Sequence, residues 1–201
     1  MDKKCFFNSQ ANIWDKTYWY NEEKLNRVKS LIKRFKLKPG MTVLDLATGT
    51  GVLLPLIQND IGHDGKLFAL DYSYEMLKAG KNKGLQGQIH FLLADVNKIP
   101  IKKCLFDRII CFSAFPHFHN KISIIRNCLS IQKPGGLFFI AHITNSEKLN
   151  KMHKISHSTV KNDYMPSKKQ FAVLLRKAGI IKFNIVENKD IYCIEIPKSV
   201  Y

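Results

Sequence analysis

Three aspartates stand at regular intervals, each closing a short aliphatic run. Asp45 ends TVLD, Asp71 ends LFALD 26 residues later, and Asp95 ends FLLAD 24 residues after that. Behind the first lies Ala47-Thr48-Gly49-Thr50-Gly51, where glycines let the backbone approach a ligand closely and open the next helix. A carboxylate at the end of a second parallel strand can accept both hydroxyls of a ribose. Asp95, followed by Val96, can accept from an adenine amine, and Tyr72 and Met76 offer apolar cover. Any one of these acids reads equally well as the cap of the next helix. Three in register read as the polar contacts of an adenosine.

A second set of residues carries acid–base potential. SAFPHFHN follows a fourth aliphatic run and brings His117 and His119; AHITNSEKLNKMH follows a fifth and brings His142 and His153. His117, His142 and His153 can converge on one face from three loops, with His117 first as a base. Three histidines also suit a metal, although no metal is expected. The other reading of each is a core histidine satisfied by the backbone, which for His142, alternating with Ile140, is the ordinary one. Asp163 and Tyr164 precede a helix start at Pro166 and sit where a flap over an acceptor belongs; their structural alternative is the first turn of that helix.

These residues need elements to position them. Residues 6–38 carry apolar side chains at helical spacing (Ile13, Trp14, Leu25, Val28, Leu31, Ile32, Phe35) up to the breaker Pro39-Gly40, which predicts a helical lead-in. From Met41 short aliphatic runs alternate with helical stretches, the pattern of a parallel sheet with crossover helices. After a polar connection over 144–164, a helix should run from Pro166-Ser167 to Ala178 and stop at Gly179. Two strands, near Ile181–Glu187 and Ile191–Ile196, should then pair as an antiparallel hairpin.

Composition narrows the class further. The chain has 201 residues, 45% of them hydrophobic, enough for one core, so a single domain over 1–201 is expected, with 1–38 as lead-in and 41–201 as core. No apolar run is long enough for a membrane span and the first residues lack a leader's apolar stretch, so a soluble, cytoplasmic protein is expected. Five cysteines without a CxxC pair argue against zinc or a disulfide framework. The net charge of +16 raises nucleic acid as a partner. Against it, the excess is scattered lysine, whereas nucleic-acid recognition leans on arginine as well. Lys148, Lys151, Lys154 and Lys161 in the connection can attract an anionic substrate, or simply form a solvated face.

Five blocks together resemble the class I S-adenosylmethionine-dependent methyltransferases: VLDLATGTG, LDYSYEML, LLADVNKIP, FDRIICF and KPGGLFFIAH. The resemblance spans about residues 10–196. It implies an α/β, three-layer Rossmann-like fold, with a seven-stranded, mostly parallel sheet in the order 3-2-1-4-5-7-6, the last strand antiparallel, and helices on both faces. The closing hairpin separates this family from dehydrogenases. It further implies S-adenosyl-L-methionine as cofactor. Asp45 would anchor the first loop, Gly49 and Gly51 pass beneath the methionine part, and Asp71 hold the ribose. Asp95 and Val96 would flank the adenine, with Cys111, Phe112 and Ser113 near the sulfonium. NSQANIWDK resembles the family's opening helix, whose aromatic, here Trp14 or Tyr18, closes over the cofactor or staples the helix to the core. Ala47 departs from the glycine common at that position.

The acceptor expected is a small molecule, because no appended recognition domain is visible. Methylation of RNA, DNA or protein is the alternative, although both an Asn-Pro-Pro-Tyr motif after strand four and a Pro-Cys nucleophile are missing. A non-catalytic cofactor-binding module is a third reading. Arsenite methylation would need several thiols near the pocket, and only Cys111 is well placed. Oligomeric state has no signature in the sequence.

Overall fold

A computed structural model of the chain describes residues 2–19, 21–99, 101 and 104–198. The lead-in forms three helices, α1 (Lys3–Gln10), α2 (Trp14–Tyr18) and α3 (Glu22–Ile32). Asn21 caps α3 by accepting from the Lys24 amide, and a left-handed Lys36 ends the run before Pro39. Periodicity alone predicted one helical face here; Val28, Leu31, Ile32 and Phe35 are buried, but Ile13 and Leu25 are exposed. The chain turns between the short helices, so they do not share one apolar stripe.

The core alternates as its pattern predicts: β1 (Thr42–Leu46), α4 (Leu54–Ile61), β2 (Lys66–Asp71), α5 (Tyr74–Lys81), β3 (Ile89–Leu93), β4 (Phe106–Phe112), α6 (Lys121–Ile131) and β5 (Gln132–His142). The tail adds α7 (Ser146–Lys154), α8 (Lys168–Lys177), β6 (Asn184–Glu187) and β7 (Tyr192–Pro197). Ser167 and Gln170 form a capping box at the start of α8, and Gly179 ends it with φ +85°. The polar connection over 144–164 hides α7, started by the Asn145 cap.

The sheet order is β3-β2-β1-β4-β5-β7-β6, parallel except for β7, which runs antiparallel to both neighbours. Two apolar layers cover it. Ile109 and Cys111 pack with Ile124, Cys128, Phe171 and Leu175 of α6 and α8. Ile110 and Phe112 face the other way, onto Leu31, Phe35, Leu54 and Ile57. A strand covered on both faces reads as an unbroken apolar run, which is why FDRIICF shows no alternation.

Arg108 ties the lead-in to this frame. Mostly buried, it donates to the carbonyls of Phe35 and Lys36 at 3.0 Å each, satisfying the end of the lead-in. The sheet reverses its order between β1 and β4, and in an open α/β sheet the crevice beyond the strand ends at such a point receives the ligand.

Candidate active site

At that point two buried acids stand at the carboxyl ends of β1 and β2, Asp45 last but one and Asp71 last. Asp45 is 2% exposed and accepts from the Thr48 hydroxyl at 2.6 Å. Asp71, 5% exposed, accepts from the amides of Gly49 and Ser73 at 2.8 and 2.9 Å. The two backbone donors to Asp71 link the first loop to the start of α5. Each oxygen keeps a lone pair for a further donor. Burial pushes Asp45 up to about 7, with nearby Asp71 adding to it, and raises Asp71 to about 6 against the pull of its backbone donors. Two raised carboxylates at the floor of a cleft are under-supplied with donors, and hydroxyl or ammonium groups of a ligand would correct that.

The loop between them is shaped for close approach. Gly49 has φ +56°, and a Cβ built there would meet nothing within 4 Å, so its surface is open. Ala47 holds φ +57° and Ser113, after β4, holds φ +52°. Left-handed backbone at non-glycine residues costs about 1–2 kcal/mol and clusters at functional sites. Ala47→Gly should relieve that strain and stabilise the protein by about 1 kcal/mol net of glycine's chain entropy, a rise of about 2–4 °C in Tm by calorimetry with cofactor binding retained. An unchanged or lowered Tm would mean that the loop carries no such strain.

A cleft of about 380 Å³ opens above these strand ends, within the size range of small-molecule sites. Of the residues expected to hold a cofactor, Asp45, Ala47, Gly49, Asp71, Tyr72, Met76, Asp95, Val96, Phe112, Ser113 and Trp14 line it. Asp95 is exposed and its Oδ1 accepts from the Asn97 amide at 2.8 Å. It therefore caps a 3-10 turn as well as bordering the cleft. Pro100, the end of the third block, lies outside the described residues.

Three expected cofactor contacts are placed elsewhere. Cys111 is fully buried in the α6–α8 layer, and the cleft is lined instead by Phe112 at the end of β4 and by Ser113 and Ala114 just beyond it. Gly51 does not line the cleft; a Cβ there would strike Leu54, so its absence serves the loop-to-α4 packing. Tyr18 is displaced too: its ring lies 4.3 Å from that of Trp14, which holds the lining position.

The histidines separate. His117 and His119 line the cleft, while His142 and His153 do not. His153 lies with its ring centroid 5.3 Å from that of His117, and its Nδ1 is 2.9 Å from the Asp163 carbonyl oxygen. His142 is 2% exposed, its Nε2 has no partner among the described residues, and burial lowers it to about 3. It is a neutral core residue, as its alternation with Ile140 suggested. Among the described residues no three His, Cys, Asp or Glu side chains gather as a metal site.

The roof was the part least visible in the sequence. Helix α1 crosses the cleft, with Lys3, Lys4 and Phe7 in its lining. The Asn8 side chain accepts from the Ser73 hydroxyl at 2.6 Å, and Phe7 packs edge-on to Trp14. Asp15 of α2 accepts from the Thr50 hydroxyl and pairs with Lys83, each at 2.5 Å, bracing α2 against the first loop. Only the neighbouring NSQANIWDK resemblance hinted at this closure.

A cleft with these strand-end acids, on a sheet in this order with an antiparallel β7, defines the class I S-adenosylmethionine-dependent methyltransferase fold. The sequence profile of a family described as a methyltransferase domain matches residues 37–190, and the chain belongs to that family. The ubiquinone/menaquinone biosynthesis C-methyltransferase UbiE of Shewanella sediminis is 32% identical over 124 residues, covering 57% of this chain and 49% of that protein. The chain spans about half the length of the curated relatives it matches. In fold it is similar to a SAM-dependent methyltransferase of Aquifex aeolicus (TM-score 0.74, 24% identity, 95% of this chain and 98% of that one). A DhpI–SAH complex is similar in the same sense (TM-score 0.76, 16% identity, 98% and 95%).

Proposed function

We propose that the chain transfers the methyl group of S-adenosylmethionine to a small-molecule acceptor. The observation that carries this is the pair Asp45 and Asp71, two buried acids with open lone pairs on the floor of a roofed cleft. In this reading Asp71 holds the ribose hydroxyls, Asp95 and Val96 border the adenine with Tyr72 and Met76 as cover, and Gly49 with Ala47 leaves room for the amino-acid part. Asp45 supports the loop through Thr48 and meets the ammonium directly or through water. When bound, the sulfonium supplies an activated methyl carbon.

What this chain supplies is alignment and the exclusion of water. Phe7, Trp14, Trp19 and Phe112 wall the cleft, and the roof helix leaves a confined acceptor space, which favours a small molecule over a polymer. Among the described residues no helix is long and apolar enough to cross a membrane. A cytoplasmic setting is part of the proposal, in keeping with five cysteines that are all free thiols.

Isothermal titration with S-adenosylmethionine and its demethylated product tests the donor half; absence of binding overturns it. Transfer of a labelled methyl group to a panel of small molecules, RNA and proteins tests the acceptor half, and labelling of polymers alone overturns that.

A further inference from the structure

His117 is paired in a way that reaches beyond cofactor binding. Its Nδ1 lies 2.6 Å from Oδ2 of Asp163, 46 positions away, and the side chain is 17% exposed where the residue lines the cleft. Oδ1 of the same carboxylate takes the Lys3 ammonium at 2.5 Å, and Lys3 also donates to the His117 carbonyl at 2.8 Å. The backbone of Asp163 is held as well, through His153 on its carbonyl. Lys121 pins the loop on the other side by donating to the carbonyls of Pro116 and Phe118 at 3.2 and 2.7 Å. Both members of the pair are therefore fixed from two directions.

From this geometry, and resting on the proposed methyl transfer, we infer that His117, positioned by Asp163, is the general base for an acceptor bearing an aromatic hydroxyl group. A carboxylate on Nδ1 selects the tautomer with its proton there, which leaves the Nε2 lone pair basic; no described residue bonds to Nε2. The aromatic surroundings of His117 favour a flat acceptor. Phe7 meets the His117 ring edge-on at 5.3 Å, and Phe112 and Phe118 also line the cleft. Such a body suits a phenol, whose neutral oxygen is a poor nucleophile until its proton leaves.

In the transfer, the methyl–sulfur bond breaks with its electron pair going to sulfur, and the acceptor oxygen forms the new bond to carbon. The phenolic proton passes to Nε2, giving an imidazolium beside the Asp163 carboxylate, and leaves to water afterwards. Burial lowers His117 more than the Asp163 bond and charge raise it, so the ring rests neutral at pH 7 and is ready to accept. Asp163 in turn stays ionised, because the bonds from His117 and Lys3 outweigh its own desolvation. The other groups around the pair are His153, His142, Lys121 and Tyr72.

The test uses the full chain, saturated with S-adenosylmethionine, and single-turnover methylation of phenol and 4-nitrophenol across pH. His117→Ala should lose about 100- to 10,000-fold with phenol at pH 7, recover as pH rises and the phenol ionises unaided, and lose little with 4-nitrophenol, already substantially ionised. Added imidazole should restore part of the rate. Asp163→Asn should shift the pH profile and lower kcat more than it raises KM, the mark of a positioning residue. Unchanged cofactor affinity in both variants shows that they fold. If the wild type binds S-adenosylmethionine but methylates no phenol, the acceptor class is overturned and the donor reading stands. If His117→Ala matches the wild type at every pH and with both phenols, the base assignment is overturned. Absent cofactor binding by the wild type overturns the donor reading, and this inference with it.

Discussion

Asp71→Ala is expected to abolish S-adenosylmethionine binding in isothermal titration, with affinity falling by about 100-fold or more. The side chain presents two carboxylate oxygens, each already aimed by one backbone amide, from Gly49 and from Ser73. Hydrogen bonds to a charged acceptor are worth about 1.5–3 kcal/mol each, so losing two accounts for a hundredfold or more. A structural defect is separable from a binding defect. Removing a carboxylate whose ionised form is disfavoured by burial relieves a cost, while the Gly49 and Ser73 amides lose an acceptor. The apo protein's melting temperature should therefore change little while binding disappears. Asp71→Asn should fall between, since the amide keeps one accepting oxygen. An Asp71→Ala protein that binds within a few-fold of the wild type would move the donor site elsewhere.

Cofactor affinity should also rise with pH, by about tenfold between pH 5 and 7.5 from Asp71 alone and by more if Asp45 contributes. The folded protein holds these acids at about 6 and about 7, above their unfolded values. Between pH 4 and 7 the folded apo state thus binds more protons than the unfolded state, and the pair's contribution to stability is lost as pH rises through that window. A ligand that donates hydrogen bonds or a positive charge favours the ionised forms and releases those protons. Its affinity must then climb over the same window in which apo stability falls. Calorimetric titration in buffers of different ionisation enthalpy reads the proton release directly. A flat affinity from pH 5 to 7.5, with no release, would show that the ligand does not engage these carboxylates; a flattened profile in Asp45→Asn would assign that residue its share.

Much of this is legible in the sequence. Asp45 and Asp71 stand at the ends of β1 and β2, with Asp95 two residues past β3, and the alternation of strands and helices follows from recurring local patterns, a short apolar run, a turn, a helix, whereas the seven-stranded order was implied by the family resemblance. Local patterns survive in sequence because turn chemistry, capping and periodicity act over a few residues. The α8 boundaries were readable for that reason, since Pro166, Ser167 and Gly179 each act on their own neighbours.

What the sequence by itself determined is the alternating scaffold and the strand-end acids Asp45, Asp71 and Asp95 that line the cleft. Only the tertiary structure decided which residue of β4 lines the cleft, because both faces of that strand are buried and a one-residue shift exchanges Cys111 for Phe112. It also decided that α1 folds back as the roof. Of the four histidines considered, it brought His117 and His119 to the cleft and set the His117 ring against an aspartate 46 positions away. Such pairings depend on where loops from different strands meet, and neither composition nor periodicity encodes a distance across the fold.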